Sequence, residues 1–133
     1  EFFAPDPRFL RDNAGMIGME VVDATPGRAV VEMPATTGHH NPIGTVHGGA
    51  LCSIADTAMG IAHATMLEEG EISTTVDLNI NFLRPAVTGR LRAEGRVVKF
   101  GRTQSLVECD VHDAAGALLV RSTSTCMAIR ADG

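Results

Sequence analysis

His47-Gly48-Gly49 and Asp56 are the residues whose types and spacing hold chemistry. From Gly48 to about Leu67 the chain has no proline and is rich in small and apolar residues, and Gly70 lies just beyond. That pattern predicts a helix opened by the two glycines. The first amides of a helix have no acceptor within the helix and carry partial positive charge. Glycines there let a ligand oxygen come close to the backbone, a good place for an oxyanion. Asp56 falls mid-helix among Ile54, Ala55, Ala58 and Met59. A carboxylate in such company loses hydration, and titratable groups so placed often mark functional sites. Each feature has a structural alternative. Gly-Gly at a helix start also serves as a tight turn, and a mid-helix Asp also faces solvent or caps a neighbour. The pair is stronger than either alone.

Competing chemistries lack their residues. His-Gly-Gly occurs in lipase oxyanion loops, but there is no GxSxG elbow here, and Ser53 has no base in a motif. No GxGxxG, Walker loop or HExxH is found. His39, His40 and His47 match no standard metal spacing, so no metal is expected.

The flanking segments must position these residues. Asp6-Pro7 followed by Arg8-Phe9-Leu10-Arg11 reads as a capped short helix closing near Gly15. Residues 16–24 and 28–34 read as strands joined by the Thr25-Pro26-Gly27 turn. Residues 35–46 read as a loop. The helix from Gly48 has apolar or small residues over most of its circumference, which predicts burial nearly all round. Four strands follow, at 75–83, 90–99, 103–112 and 117–129. In the first, Val76, Leu78, Ile80 and Phe82 alternate with Thr75, Asp77, Asn79 and Asn81, a half-buried pattern. The expected fold class is α+β, an antiparallel sheet of about six strands wrapped around one long central helix.

The chain has 133 residues, 44% of them apolar, which fits a single domain over 1–133 with its own core. No apolar run reaches the length of a membrane span, and no leader pattern opens the chain. Cys52, Cys109 and Cys126 are odd in number and far apart, which fits a reducing, cytoplasmic setting rather than a disulfide framework. Eleven basic against sixteen acidic residues give −5, the wrong sign for a general nucleic-acid binder. Six of the eleven basic residues (Arg84, Arg90, Arg92, Arg96, Lys99, Arg102) nevertheless lie in one short stretch. They read either as solvated strand faces or as a site for an anionic ligand such as a nucleotide phosphate.

The stretch from Asn41 through His47-Gly48-Gly49 to Asp56, with Thr75-Val-Asp-Leu-Asn-Ile-Asn-Phe-Leu-Arg84-Pro85-Ala86 downstream, resembles the hot-dog-fold acyl-CoA thioesterases. The phenylacetic-acid-degradation type is the closest branch, and the resemblance covers about residues 12–130. It implies hydrolysis of an acyl-CoA to free acid and CoA, with no cofactor beyond the CoA of the substrate. It implies Asp56 as general base or nucleophile, Gly48 as the amide that polarises the thioester carbonyl, and Asn41 as a residue orienting water or thioester. It places Thr75 beside the attacking water. It implies substrate binding by His47 and Gly49, with His47 also shaping the loop, contact of the Gly101-Arg102 turn with the CoA arm, and contact of Arg84 with a phosphate. Some relatives carry a hydroxyl four residues after the carboxylate, where this chain has Gly60.

Gly48 and Asp56 stand eight residues apart, ~12 Å along one helix axis. They cannot both touch one carbonyl from the same subunit. If both act, a second copy supplies one of them, as in an isologous homodimer with antiparallel central helices, and dimers are expected to pair into a homotetramer. Two other readings stay open: a noncatalytic acyl-CoA-binding protein, and a hot-dog dehydratase or hydratase using a loop His. No nucleic-acid or membrane partner is expected.

Overall fold

The computed structural model describes residues 18–35, 46–86 and 89–130. The expected helix near 6–15, most of the 35–46 loop and Asn41 lie outside these residues. The chain forms β1 (Glu20–Thr25), β2 (Arg28–Ala35), helix α1 (Gly48–Ala64), β3 (Glu71–Phe82), β4 (Gly89–Lys99), β5 (Gln104–His112) and β6 (Leu118–Arg130). The strands make one antiparallel sheet in the order β1-β2-β4-β5-β6-β3, so β1 and β3 are its edges. The helix lies on one face and touches all six strands. This is the expected α+β architecture.

Alternation explains the core. Met33, Leu91, Val107, Val111 and Val120 point from the sheet toward Leu51, Ile54 and Met59 of α1, and all are fully or almost fully buried. The approach is closest at Gly95 of β4. A Cβ there would stand 2.5 Å from the Ala58 carbonyl oxygen, so only glycine lets helix and sheet meet at this point.

Three details depart from the sequence reading. First, α1 ends at Ala64 rather than near Leu67. The Thr65 hydroxyl donates to the Ala62 carbonyl (2.6 Å) and accepts the Gly27 amide (2.8 Å), which satisfies a terminal carbonyl and ties the helix end to the β1–β2 turn. Second, α1 is not buried all round. Gly49 and Ser53 are exposed and Asp56 and Gly60 half-buried, and these spacings form one stripe turned away from the sheet. Third, β3 does not alternate throughout. Leu78 and Ile80 pack on the core, but Val76 is 51% and Phe82 53% exposed.

The reason for the third departure is a bulge between Thr75 and Asp77, which leaves Val76 as an extra residue against β6. Thr75 pairs with Cys126 and Leu78 with Ser124. Cys126 and Ser124 both face the core. The bulge therefore turns Thr75 to the same face as Leu78, three residues away, which strict period-two alternation forbids.

The opposite face of the sheet carries ion pairs across five strands. Asp23 and Glu94 accept from Arg28. Arg96 pairs with Glu94, Glu108 and Asp110, and Arg121 also reaches Asp110. Burial pushes the Asp110 carboxyl up, but the hydrogen bonds from Arg121 and Arg96 outweigh it and hold the group below the usual value. No helix among the described residues is long and apolar enough to cross a membrane.

Candidate active site

The start of α1 follows from its N-cap. His47 adopts an extended conformation, and its Nδ1 accepts the Gly49 amide at 2.9 Å. The Ala50 and Leu51 amides are taken by the His47 carbonyl (2.9 and 3.3 Å). The Gly48 amide is the one left without an acceptor among the described residues. His47 thus fills its own capping role and the Gly49 donor, and Gly48 keeps the open one. The aromatic ring of Phe82 lies over Gly48, where a Cβ would be 3.3 Å from its Cζ. A cleft of about 260 Å³ opens here, lined by Val46, Gly48, Leu51, Phe82, Leu83 and Arg84 among others. The Val46 amide closes one wall by donating to the Ala86 carbonyl at 2.6 Å.

Asp56 lies two turns further along α1, outside that lining. It is half-buried on the open stripe, and its Oδ1 accepts the Thr75 hydroxyl at 2.8 Å. The bulge at Val76 makes this bond possible by turning Thr75 inward. One carboxylate oxygen is thereby oriented, and the other has no hydrogen-bond partner among the described residues, as an oxygen that takes a proton from water or attacks would need. At Gly60, one turn on, a Cβ would meet nothing within 4 Å.

The basic stretch divides in two. Arg90 and Arg92 pair with Glu32, Arg90 also with Glu20, and Arg96 belongs to the ion-pair array described above. The Arg90 hydrogen bond holds the Glu32 carboxyl low. These strand residues are satisfied on the solvated face. Arg84 on the cleft, and Lys99 and Arg102 around the β4–β5 turn, have no carboxylate partner among the described residues. Only glycine fits at position 101 of that turn: a Cβ there would lie 2.0 Å from the Gln104 carbonyl oxygen, and its amide donates to Ser105 Oγ at 3.0 Å.

The family model of the thioesterase superfamily matches residues 43–120, more than half of the chain. The chain belongs to the thioesterase superfamily. Its sheet and single central helix are the hot-dog fold, and the family chemistry is thioester hydrolysis. A 1,4-dihydroxy-2-naphthoyl-CoA hydrolase of Listeria monocytogenes is 31% identical over 109 residues, covering 82% of this chain and 89% of the relative. Human acyl-coenzyme A thioesterase 13 is 32% identical over 107 residues, covering 79% and 76%. The PaaI protein of the E. coli phenylacetic acid degradation operon superposes with a TM-score of 0.83 at 25% identity, covering 92% of this chain and 89% of that one. The thioesterase is thus similar to proteins of the branch that the His-Gly-Gly, Asp and Arg-Pro-Ala residues point to.

The structure brings together Asp56 with Thr75, and Gly48 with Arg84. It does not bring Gly48 to Asp56 within one chain, and Asn41 lies outside the described residues. No group of three or more His, Cys, Asp or Glu able to hold a metal occurs among the described residues. Burial pushes the Cys109 thiol up to about 12, and burial then the Asp56 charge raise that of Cys52, so both thiols are poor nucleophiles. Sequence reasoning missed His63, fully buried with Nδ1 2.7 Å from Ser73 Oγ, and Phe82, whose ring lies on the side of Gly48 where a Cβ would stand. The only signals were a histidine inside an apolar run and an aromatic ending a strand.

Proposed function

We propose that this thioesterase hydrolyses acyl-CoA, with Asp56 as general base and the Gly48 amide on the carbonyl oxygen. Asp56 takes a proton from a water whose oxygen attacks the thioester carbon. The carbonyl oxygen becomes an oxyanion that accepts the Gly48 amide. Collapse breaks the C–S bond, and the departing thiolate recovers the proton, giving acid and CoA thiol. The observation that carries this reading is the Thr75–Asp56 hydrogen bond on the open stripe of α1, a carboxylate oriented on one oxygen and reachable on the other. Asn41 completes the positioning of water or thioester, while His47 and Gly49 hold the loop. Relatives named for CoA thioesters support the substrate class.

The site is shared between two copies. If both act at one carbonyl, the ~12 Å between Gly48 and Asp56 along one helix argues for it, and the uncovered apolar residues Ile72, Val76 and Phe82 on edge strand β3 favour a second copy there. Pairs of dimers form a tetramer. Arg84, Lys99 and Arg102 are free to meet CoA phosphates. Arg102→Ala should then raise KM more than it lowers kcat, and the effect should shrink with a pantetheine thioester that lacks the nucleotide. We take residues 1–133 as one domain acting in the cytoplasm, where its three free thiols stay reduced, without a cofactor and without nucleic-acid or membrane partners.

Thiol release across short, medium, long and aromatic acyl-CoAs tests the activity. Mixing Asp56→Asn with Asn41→Ala/Gly48→Pro tests the shared site. In a heterodimer one site collects both lesions and the other neither, so activity should return in about half the heterodimer's sites. Heterodimers verified by mass spectrometry that stay as inactive as their parents would overturn the shared site.

A further inference from the structure

We propose that His63 is a positioning residue for this reaction: through Ser73 it holds the upstream half of β3 so that the Thr75 hydroxyl meets Asp56. The inference rests on the reading of Asp56 as the catalytic base.

Among the described residues of one chain, the edge strand β3 is hydrogen-bonded to β6 alone. Its apolar anchors on the core, Leu78 and Ile80, lie downstream of the Val76 bulge. The segment upstream of the bulge keeps its pairing to β6 from Glu71 to Thr75, but a bulge bends and twists its strand, so the downstream anchors do not set how that segment faces α1. In that segment Ser73 and Thr75 face α1. The polar ties between them and the helix, among the described residues, are Ser73–His63 at 2.7 Å and Thr75–Asp56 at 2.8 Å. The two helix partners are seven residues apart, two turns of one face. Holding one tie sets the geometry of the other.

His63 is suited to hold. It stands in the last turn of α1, just before the Thr65 cap, and its ring packs at 6.1 Å and 46° against Phe100. Phe100 precedes the Gly101-Arg102 turn. The ring has 0% exposure, and Nε2 has no hydrogen-bond partner among the described residues. A buried ring nitrogen without a partner costs stability, so stability alone favours an apolar side chain here. What the imidazole contributes is the bond it does make, at Nδ1, to the strand that carries Thr75.

The test removes the tie without leaving half of it behind. In His63→Leu/Ser73→Val both polar partners become apolar, a change that can be nearly neutral for stability. His63→Asn keeps a polar atom where Nδ1 stands. The melting temperature of the double variant should stay near that of the parent, with kcat about tenfold lower and KM unchanged. In the protein without substrate, the Asp56 carboxyl carbon resonance should shift. His63→Asn should restore most of kcat and return the resonance. A folded double variant with parental kcat and an unmoved resonance overturns the proposal, as does a loss of kcat that His63→Asn shares in full. If the double variant fails to fold, Ser73→Ala takes its place, with kcat loss at a parental melting temperature supporting the proposal and parental kcat overturning it. Asp56→Asn is assayed alongside. If that variant keeps its turnover, the reading of the base fails, and the resonance shift alone then decides for or against the positioning by His63.

Discussion

Helix α1 carries two ionisable side chains that each meet a hydroxyl of β3, and they behave differently. Asp56 meets Thr75 on the stripe turned away from the sheet, half-buried and with one oxygen unused. His63 meets Ser73 where the helix end, Phe100 and β3 close over it, and no part of its ring reaches solvent. Local geometry is nearly the same in both pairs. Access separates them: in the proposed mechanism the group on the open stripe takes the proton, and the sealed one holds its geometry.

Removing the reachable charge should have the largest effect. Asp56→Asn is nearly isosteric, so the fold and substrate binding should survive while kcat falls by about 10²–10⁴, measured by thiol release at saturating substrate. A folded variant with near-normal kcat would erase the distinction. Thr75→Val removes only the orienting hydroxyl of the same pair, and a kcat loss of about tenfold at steady KM is expected. A loss confined to KM would mean that Thr75 contacts substrate rather than the carboxylate.

The sealed pair makes a prediction in pH. Burial holds the His63 pKa below the free-imidazole value of ~6.5, with Glu71 opposing weakly. As the pH falls through about 6.5, the unfolded chain takes up a proton that the folded chain does not. The free energy of unfolding should therefore drop toward the lowered folded pKa and recover as the pH rises. Urea midpoints at about pH 7.5 and 5.5 measure this, and His63→Asn should lack that part of the drop. Equal drops in parent and variant would show that the histidine titrates freely in the folded protein. The smallest effect is expected between the two pairs. Gly60 has open space around it, so Gly60→Ser should fold normally and gain a few tenths of a kcal/mol of helix stability by thermal melt. It places a hydroxyl one turn from Asp56, and a kcat change of more than about twofold would show that this stripe is part of the site.

Much of this was legible in the residues. The Thr25-Pro26-Gly27 turn, the paired glycines before an apolar run, and the alternation in β4, β5 and β6 follow from local chemistry, and the observed elements agree within a few residues. Asp56 was legible because an ionised group amid Ala, Ile and Met is chemically conspicuous. Thr75 was placed opposite the core by its alternation with Val76, and it reaches Asp56 only because one extra residue flips the strand. No residue type announces that bulge, since pairing with β6 some 50 residues away decides it. The open stripe was hidden for a related reason: Gly and Ala satisfy a buried face and an uncovered one equally well. The basic run was split by partners far away in sequence, such as Glu32 for Arg90, which spacing alone does not reveal.

The contact of Gly95 with the Ala58 carbonyl has a consequence for how such an enzyme diversifies. It leaves no room for a side chain between helix and sheet, and it lies within half a turn of Asp56 along α1. Position 95 is therefore closed to variation. The rim residue Leu83, exposed on the cleft, is open to it. Libraries randomised at the rim can search for new thioester substrates without disturbing the seat of α1 on the sheet, whereas any library that includes residue 95 spends its members on chains whose helix has been pushed off the sheet.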